Sequence, residues 1–245
     1  MWQSDMTHWS LVEGRHVEIV NFIDDHSRLC IASVAVPVAR ATDVAEIFIA
    51  AAQRHGTPAS VLTDNGCIYT AKHRGGKVIM ETLLENLGVT YKHSRPYHPQ
   101  TCGKVERFHQ TLKKFLTKQD AALDVAELQA QLDRFVTAYN DTRPHRALGR
   151  RTPRDVFDTK IKAHPAGDVP DTHFRVRHDR VDKTGCVTLR YQSRLRHISI
   201  GRAHKGQRVV LLVADTDVRV VNQDGELLRH LQIDPTRDYQ PRRTT

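Results

Sequence analysis

Three carboxylates in three different backbone contexts constrain what this chain can fold into. Asp5 in WQSDMTHW and Asp64 in VLTDNG each follow a short apolar or β-branched stretch, where strands should end. Glu106 in GKVERFHQTLKKF stands on a strongly periodic helix. At about 100° per residue, Val105, Phe108, Leu112, Phe115 and Leu116 fall on one apolar arc, and Glu106, His109, Gln110 and Lys113 gather on a neighbouring polar arc. A helix-borne carboxylate turned toward two strand-borne ones calls for a mixed α/β fold and makes an all-oxygen site, which suits hard divalent cations such as Mg²⁺. The lysines and arginines on that helix suit phosphate as the substrate group. Alone, KVERFHQTLKK would be a surface helix with a solvated charged face; Asp5 and Asp64 turn that balance.

The rest of the N-terminal half alternates strands and helices. Strands are expected at 2–7, 17–24, 29–36, 59–63 and 89–93, with DDHSR as a turn in which Asp24 and Asp25 cap the backbone or face solvent. Helices are expected at 42–54, with Thr42 as N-cap and Gly56 as terminator, at 78–87, across Glu106, and from about Asp124 to Tyr139. The adjacent glycines of AKHRGGK mark a loop. SRPYHPQTCG before the Glu106 helix is expected to be an active-site rim, because loops beside catalytic residues often carry binding groups. Thr152-Pro153 is a helix start. Residues 158–172 then read as a linker, and short strand-like runs over 173–240 suggest a small SH3-like β-barrel. Its Arg175, Arg177, Arg190, Arg194 and Arg196 alternate with apolar residues and are expected on one outer face, either solvated to protect strand edges or in contact with phosphate.

Charge follows the same division. The chain has 245 residues and a net charge of +9, with −3 over residues 1–90, +5 over 91–120, −2 over 121–140, +3 over 141–170 and +6 over 171–245. Positive charge beside an acidic pocket suits a nucleic-acid footprint. The four cysteines are scattered without a CxxC pair, as free thiols in a reducing compartment would be. His93, His98 and Cys102 lie near one another in sequence but lack the ligand spacing of a zinc group. The longest apolar run, Cys30 to Ala39, is too short to span a bilayer, and the N-terminus has no basic-then-apolar signal, so a cytoplasmic location is expected.

Five ordered stretches, WQSDMT, VEIVNFIDDHSR, LTDNG, HSRPYHPQTCGKVERFHQTLK and YNDTRPHRAL with RTPRDVF, resemble the catalytic core of DDE-type transposases and integrases, the retroviral-integrase-like kind carried by bacterial insertion sequences. The resemblance spans most of residues 2–157. It implies an RNase H-like fold, a five-stranded mixed sheet flanked by helices over residues 1–157, with Asp5, Asp64 and Glu106 as the metal-binding catalytic triad. It also implies DNA as partner, transposon ends and target alike, phosphate contact for the arginine face of the β-barrel, and a homo-oligomer in a synaptic complex. His98, Gln100, Lys104, His109, Gln110, Lys113, Lys114, Arg143 and Arg146 would contact the DNA. The spacing departs from the family: 41 residues lie between Asp64 and Glu106, more than the family often has, and the surplus is placed at 71–77. Asp5 also stands so near the first residue that a preceding helix-turn-helix domain, common in the family, is not part of this sequence; a fragment, a truncated frame or an excised piece is expected.

Two Mg²⁺ or Mn²⁺ ions about 4 Å apart, bridged by Asp5 and held singly by Asp64 and Glu106, would clamp a scissile phosphate. Cutting and strand transfer then become one in-line displacement with different nucleophiles. Two other readings compete with that one. The first is an RNase H-like nuclease that cuts without joining. The second is a catalytically silent DNA-binding remnant.

Overall fold

The structure is a computed structural model that describes residues 1–64, 66, 68–69, 79–93, 103–165 and 174–242. The N-terminal unit follows the order β1 (Trp2–Ser10), β2 (His16–Asp24), β3 (Cys30–Val36), α1 (Ala41–His55), β4 (Ser60–Thr63), α2 (Ile79–Asn86), β5 (Thr90–His93), α3 (Gly103–Leu116), α4 (Val125–Thr137) and α5 (Pro153–Thr159). Among the described residues its strands form one five-stranded sheet, β3-β2-β1-β4-β5. The first three are antiparallel neighbours, while β1, β4 and β5 run parallel. This is the mixed sheet of the RNase H-like fold.

Strand alternation divides the core between the two faces of the sheet. Val20 and Phe22 pack with α1 and α2 through Val44, Phe48, Met80 and Leu83. Val17, Ile19 and Ile23 pack on the other face with α3 and α4 through Val105, Phe108, Leu112, Leu128 and Leu132. The edge strand β3 is closed by two side-chain amides. Asn140 accepts from Cys30 N–H (2.8 Å) and donates to Cys30 C=O (2.9 Å). Gln129 accepts from Ala35 N–H (2.9 Å) and donates to Ser33 C=O (3.1 Å). Satisfying these groups removes a ready pairing edge.

Several expected boundaries shift. β1 continues to Ser10, so Asp5 sits within the strand and not at its end. The antiparallel pairing with β2 carries β1 onward, from Trp2↔Asp24 through Ser10↔His16. Thr42 is buried inside α1 and does not cap it; the side chain of Asp43 accepts from Arg40 N–H (2.8 Å) instead. α4 gives way at Ala138 to a π turn closed by Arg143 N–H donating to Ala138 C=O (2.9 Å), which holds Tyr139 and Asn140 inward. Thr152 does cap α5, accepting from Asp155 N–H. Asp24 caps the DDHSR turn, accepting from Ser27 N–H (2.7 Å) and Ser27 Oγ (2.8 Å). α5 runs to Thr159, into the start of the expected 158–172 linker; residues 166–172 of that linker, and the 71–77 loop, lie outside the described residues.

The C-terminal unit is all-β. Strands β6 (Phe174–Arg180), β7 (Cys186–Tyr191), β8 (Arg194–Ser199), β9 (Arg208–Ala214), β10 (Asp217–Asn222), β11 (Leu227–Gln232) and β12 (Tyr239–Gln240) form, among the described residues, sheets β11-β10-β9-β6 and β12-β8-β7. They enclose Val187, Leu189, Ile198, Val209, Leu211 and Val218, consistent with an SH3-like unit. β9 is buried on both faces, which explains the unbroken apolar run RVVLLVA. Val209, Leu211 and Val213 face this inner cluster, whereas Val210 and Leu212 join the α1–α2 cluster of the N-terminal unit. Arg196 departs from the expected outer row. It is 1% exposed, its Nη1 lies 2.5 Å from Asp238, and its Nη2 donates to Pro235 C=O (2.8 Å).

Candidate active site

Asp5 and Asp64 meet because two parallel strands stop pairing at the same place. β1 and β4 run in register as Trp2↔Val61, Gln3↔Leu62 and Ser4↔Thr63, and β4 ends at Thr63. The next residue on each chain is an aspartate. Asp64 leaves the sheet in a turn in which its Oδ1 accepts from Gly66 N–H (2.9 Å). A Cβ at position 66 would stand 3.0 Å from Asp64 Oδ1, so a larger residue there would push the carboxylate aside by a few tenths of an ångström. The turn is braced by Tyr69 and Tyr91. Tyr69 N–H donates to Gly66 C=O, Tyr91 OH donates to Tyr69 C=O (2.8 Å), and Tyr91 OH also meets Thr63 Oγ1 (3.0 Å). Burial raises both phenols, so they stay protonated.

Alternation along β1 turns Ser4 toward Tyr69, whose OH lies 3.0 Å from Ser4 Oγ, and turns Asp5 toward α3. Asp5 Oδ1 accepts from Met6 N–H (2.8 Å). Its carboxyl is raised from 3.8 to about 6, first by burial, against which the Met6 hydrogen bond acts, and then by the charges of Asp64 and Glu106. Two strand aspartates and a helix glutamate therefore share one electrostatic neighbourhood. Among the described residues no three His, Cys, Asp or Glu side chains close to ligand distance around one point.

The α3 stripe forms as its periodicity requires: Val105, Phe108, Leu112 and Leu116 are buried, and Glu106, Gln110, Lys113 and Lys114 are exposed. His109 corrects the expected polar arc. It is buried at 9% exposure, and its Nε2 lies 3.1 Å from Asn21 Nδ2, the residue paired across the sheet with Asp5. Asn21 Oδ1 accepts from Ser33 Oγ (2.8 Å), which leaves its amide nitrogen to donate to the ring. The ring proton then sits on Nδ1, 3.8 Å from Asp5 Oδ2. Burial, aided by Lys113, lowers the imidazole to about 4, so it is neutral at pH 7. Ser33, Asn21 and His109 thus form a buried hydrogen-bonded row whose last ring nitrogen stands 3.8 Å from Asp5, in contact with it but beyond hydrogen-bond reach.

Lys104 is committed elsewhere: its Nζ lies 2.7 Å from Asp25 Oδ1, which also accepts from Gln3 Nε2 (2.7 Å), tying the start of α3 to the β2–β3 turn. Arg143 and Arg146 are exposed beyond the π turn, and Arg143 lies over the Tyr139 ring at 5.6 Å. His98, Gln100 and Cys102 lie outside the described residues. His93 stands 3.8 Å from Glu81. Tyr69, Tyr91 and Asn21 escaped sequence reasoning because their roles depend on contacts between distant segments.

Two family models, both described as integrase core domain, match residues 1–99 and 87–153, together more than half of the chain. The chain belongs to the integrase core family. Among relatives of this integrase core, the Gag-Pol polyprotein of bovine immunodeficiency virus is 32% identical over 157 residues, 64% of this chain and 10% of the polyprotein. An insertion element IS136 uncharacterized protein of Agrobacterium fabrum is 28% identical over 167 residues, 65% of this chain and 83% of that protein. The chain thus covers about a tenth of the viral polyprotein and most of the bacterial protein. Among solved structures, the catalytic core domain of the bovine immunodeficiency virus integrase is 28% identical over 64% of this chain and 91% of that one, with TM-score 0.48. A chain of the simian T-cell lymphotropic virus intasome, in complex with PP2A regulatory subunit B56 gamma, matches 96% of this chain and 78% of that one at 18% identity and TM-score 0.56. That last likeness extends the shared fold through the β-rich C-terminal unit. No helix among the described residues is long and apolar enough to cross a membrane.

Proposed function

We propose that this integrase core cuts DNA and joins it by strand transfer at the ends of an insertion element, with Asp5, Asp64 and Glu106 as metal-holding carboxylates. The carrying observation is that the parallel register Ser4↔Thr63 sets Asp5 and Asp64 side by side, with α3, which bears Glu106, packed against Asp5 through His109. The donor set consists of carboxylate oxygens, which fits Mg²⁺ or Mn²⁺ over softer ions. Divalent ions held there, two per site in our reading, would supply Lewis-acid charge to the scissile phosphate and favour an attacking oxygen.

The protein's own groups prepare the site. One oxygen of Asp5 and one of Asp64 are fixed by backbone N–H groups, which leaves the other oxygen of each to ligate. Neutral His109 orients Asp5 without a competing cation. Gln110, Lys113, Lys114, Arg143 and Arg146 are exposed and would contact phosphate; His109 is reassigned from DNA contact to positioning. The insertion-element relative and the viral intasome support DNA and a homo-oligomer as partners.

Incubating the protein with a labelled DNA end and a supercoiled target, with Mn²⁺ or with chelator, tests this. Nicked and joined products that need metal and vanish in Asp64→Asn and Glu106→Gln are expected. Activity in those variants or in chelator would overturn the assignment, and cutting without joining would favour a plain nuclease.

A further inference from the structure

A basic groove runs along the side of α3 turned about 110° away from Glu106. A cleft of about 630 Å³ lies between the start of α3, the β2–β3 turn and the segment after the π turn, and it adjoins a second of about 400 Å³ farther along the helix. Arg107, Thr111, Tyr139 and Arg143 line both, so the two are continuous. Arg28 and Arg146 stand at one end, Lys114 and Lys118 at the other, and among the described residues no acidic side chain lines either cleft. Arg107, Lys114, Lys118, Arg143 and Arg146 are all exposed. Among the described residues Arg28 Nη1 and His145 Nδ1, both from the first cleft, are buried without a hydrogen-bond partner. Buried donors left unmatched are costly, and a ligand oxygen would satisfy them.

The shape decides which anion fits. From Arg107 to its end at Leu116 the helix rises about 14 Å, the length of about four base pairs of duplex, and Lys118 extends the row just beyond it. A line of cations of that length matches a phosphodiester backbone better than a compact anion. The carboxylates lie on another side of the same helix.

We propose that this groove holds the phosphate backbone of a DNA segment separate from the one presented to Asp5, Asp64 and Glu106. The proposal rests on DNA being the substrate. It assigns Arg28, Arg107, Lys118 and His145 a role, and it divides the basic residues of α3 into two tracks, with Lys113 on the catalytic side and Arg107 and Lys114 on the other.

The test is a salt titration of duplex binding, without metal, on the wild type, the Arg107→Ala/Arg143→Ala/Arg146→Ala variant and its triple Lys counterpart. Each lost phosphate contact lowers the slope of log K against log salt by about 0.9, so the Ala variant should lose about three units and bind at least roughly 10-fold more weakly at 0.1 M salt. The Lys variant should keep most of the slope, because charge and not guanidinium packing carries the effect. At low salt a duplex of about ten base pairs should bind twice per wild-type chain and once per Ala variant. An unchanged slope in the Ala variant, an equal loss in the Lys variant, a single duplex on the wild type, or displacement by sub-millimolar pyrophosphate would each overturn the proposal. Metal-dependent joining together with an unchanged slope would sink the groove and leave the chemistry standing. A lost slope without activity in any metal would support the groove and sink the chemistry.

Discussion

Two charged groups are drawn out of water in this molecule, and their surroundings are opposite. Arg196 in the β-rich unit is 1% exposed and is answered by Asp238 and by the carbonyl of Pro235. Asp5 in the N-terminal sheet is flanked by two further carboxylates, and the nearest ring is neutral. The first arrangement serves folding. The second works against it, and the cost makes sense only if something outside the chain offsets it, as strained or repulsive clusters do at functional sites.

The contrast breaks most readily on its stabilising side. Asp238 is itself 69% exposed, so water screens the pair, and Asp238→Ala should destabilise the protein by roughly 2 kcal/mol. Chemical denaturation should show it as a lower midpoint at constant slope. A loss below about 0.5 kcal/mol would mean that Arg196 finds other partners and that the two sites differ less than drawn.

Asn140→Ala comes next. It strips both hydrogen bonds from the edge of β3 at Cys30 and should cost about 2 kcal/mol. Faster amide exchange at Cys30 would locate the damage, while unchanged protection there would show that the edge is closed in some other way.

Asp5→Asn should act in the opposite direction. The folded carboxyl titrates at about 6 against an ordinary 3.8. The folded state therefore binds this proton more tightly, and the stability it contributes is present below about 3.8 and lost as pH rises through about 6. At pH 8 without metal, Asp5→Asn should stabilise by about 1–2 kcal/mol once solvent screening is allowed for, and at pH 3.5 the difference should vanish. Thermal melts at both pH values check this; a destabilised variant at pH 8 would deny the repulsion. Gly66→Ala is the smallest change. It should cost below about 1 kcal/mol in stability yet weaken metal affinity, because the crowded oxygen belongs to Asp64.

Local signals made much of this legible. The stripe of α3, the strand leading to Asp64 and the cap at Thr152 are each set by residues within a few positions, and a sequence displays such patterns directly. Periodicity puts His109 on the polar arc, yet it lies only about 20° from Leu116 on the helix, and Asn21, 88 positions away, draws it inward. Alternation along β8 points Arg196 outward, but it turns in toward Asp238, 42 positions downstream. Asp5 sits mid-strand because β1 keeps its antiparallel partner after losing its parallel one. In each case pairing with a distant segment overruled the local pattern.

The claim that three carboxylates form one metal site is tested most directly by metal-dependent stability. With Mn²⁺ at about 100 times its dissociation constant, the wild type should gain about 2.7 kcal/mol, and its melting temperature should rise accordingly. Asp5→Asn, Asp64→Asn and Glu106→Gln should each lose most of that gain, while Lys113→Ala keeps it. An equal Mn²⁺ response in the wild type and in all three carboxylate variants would contradict the shared site.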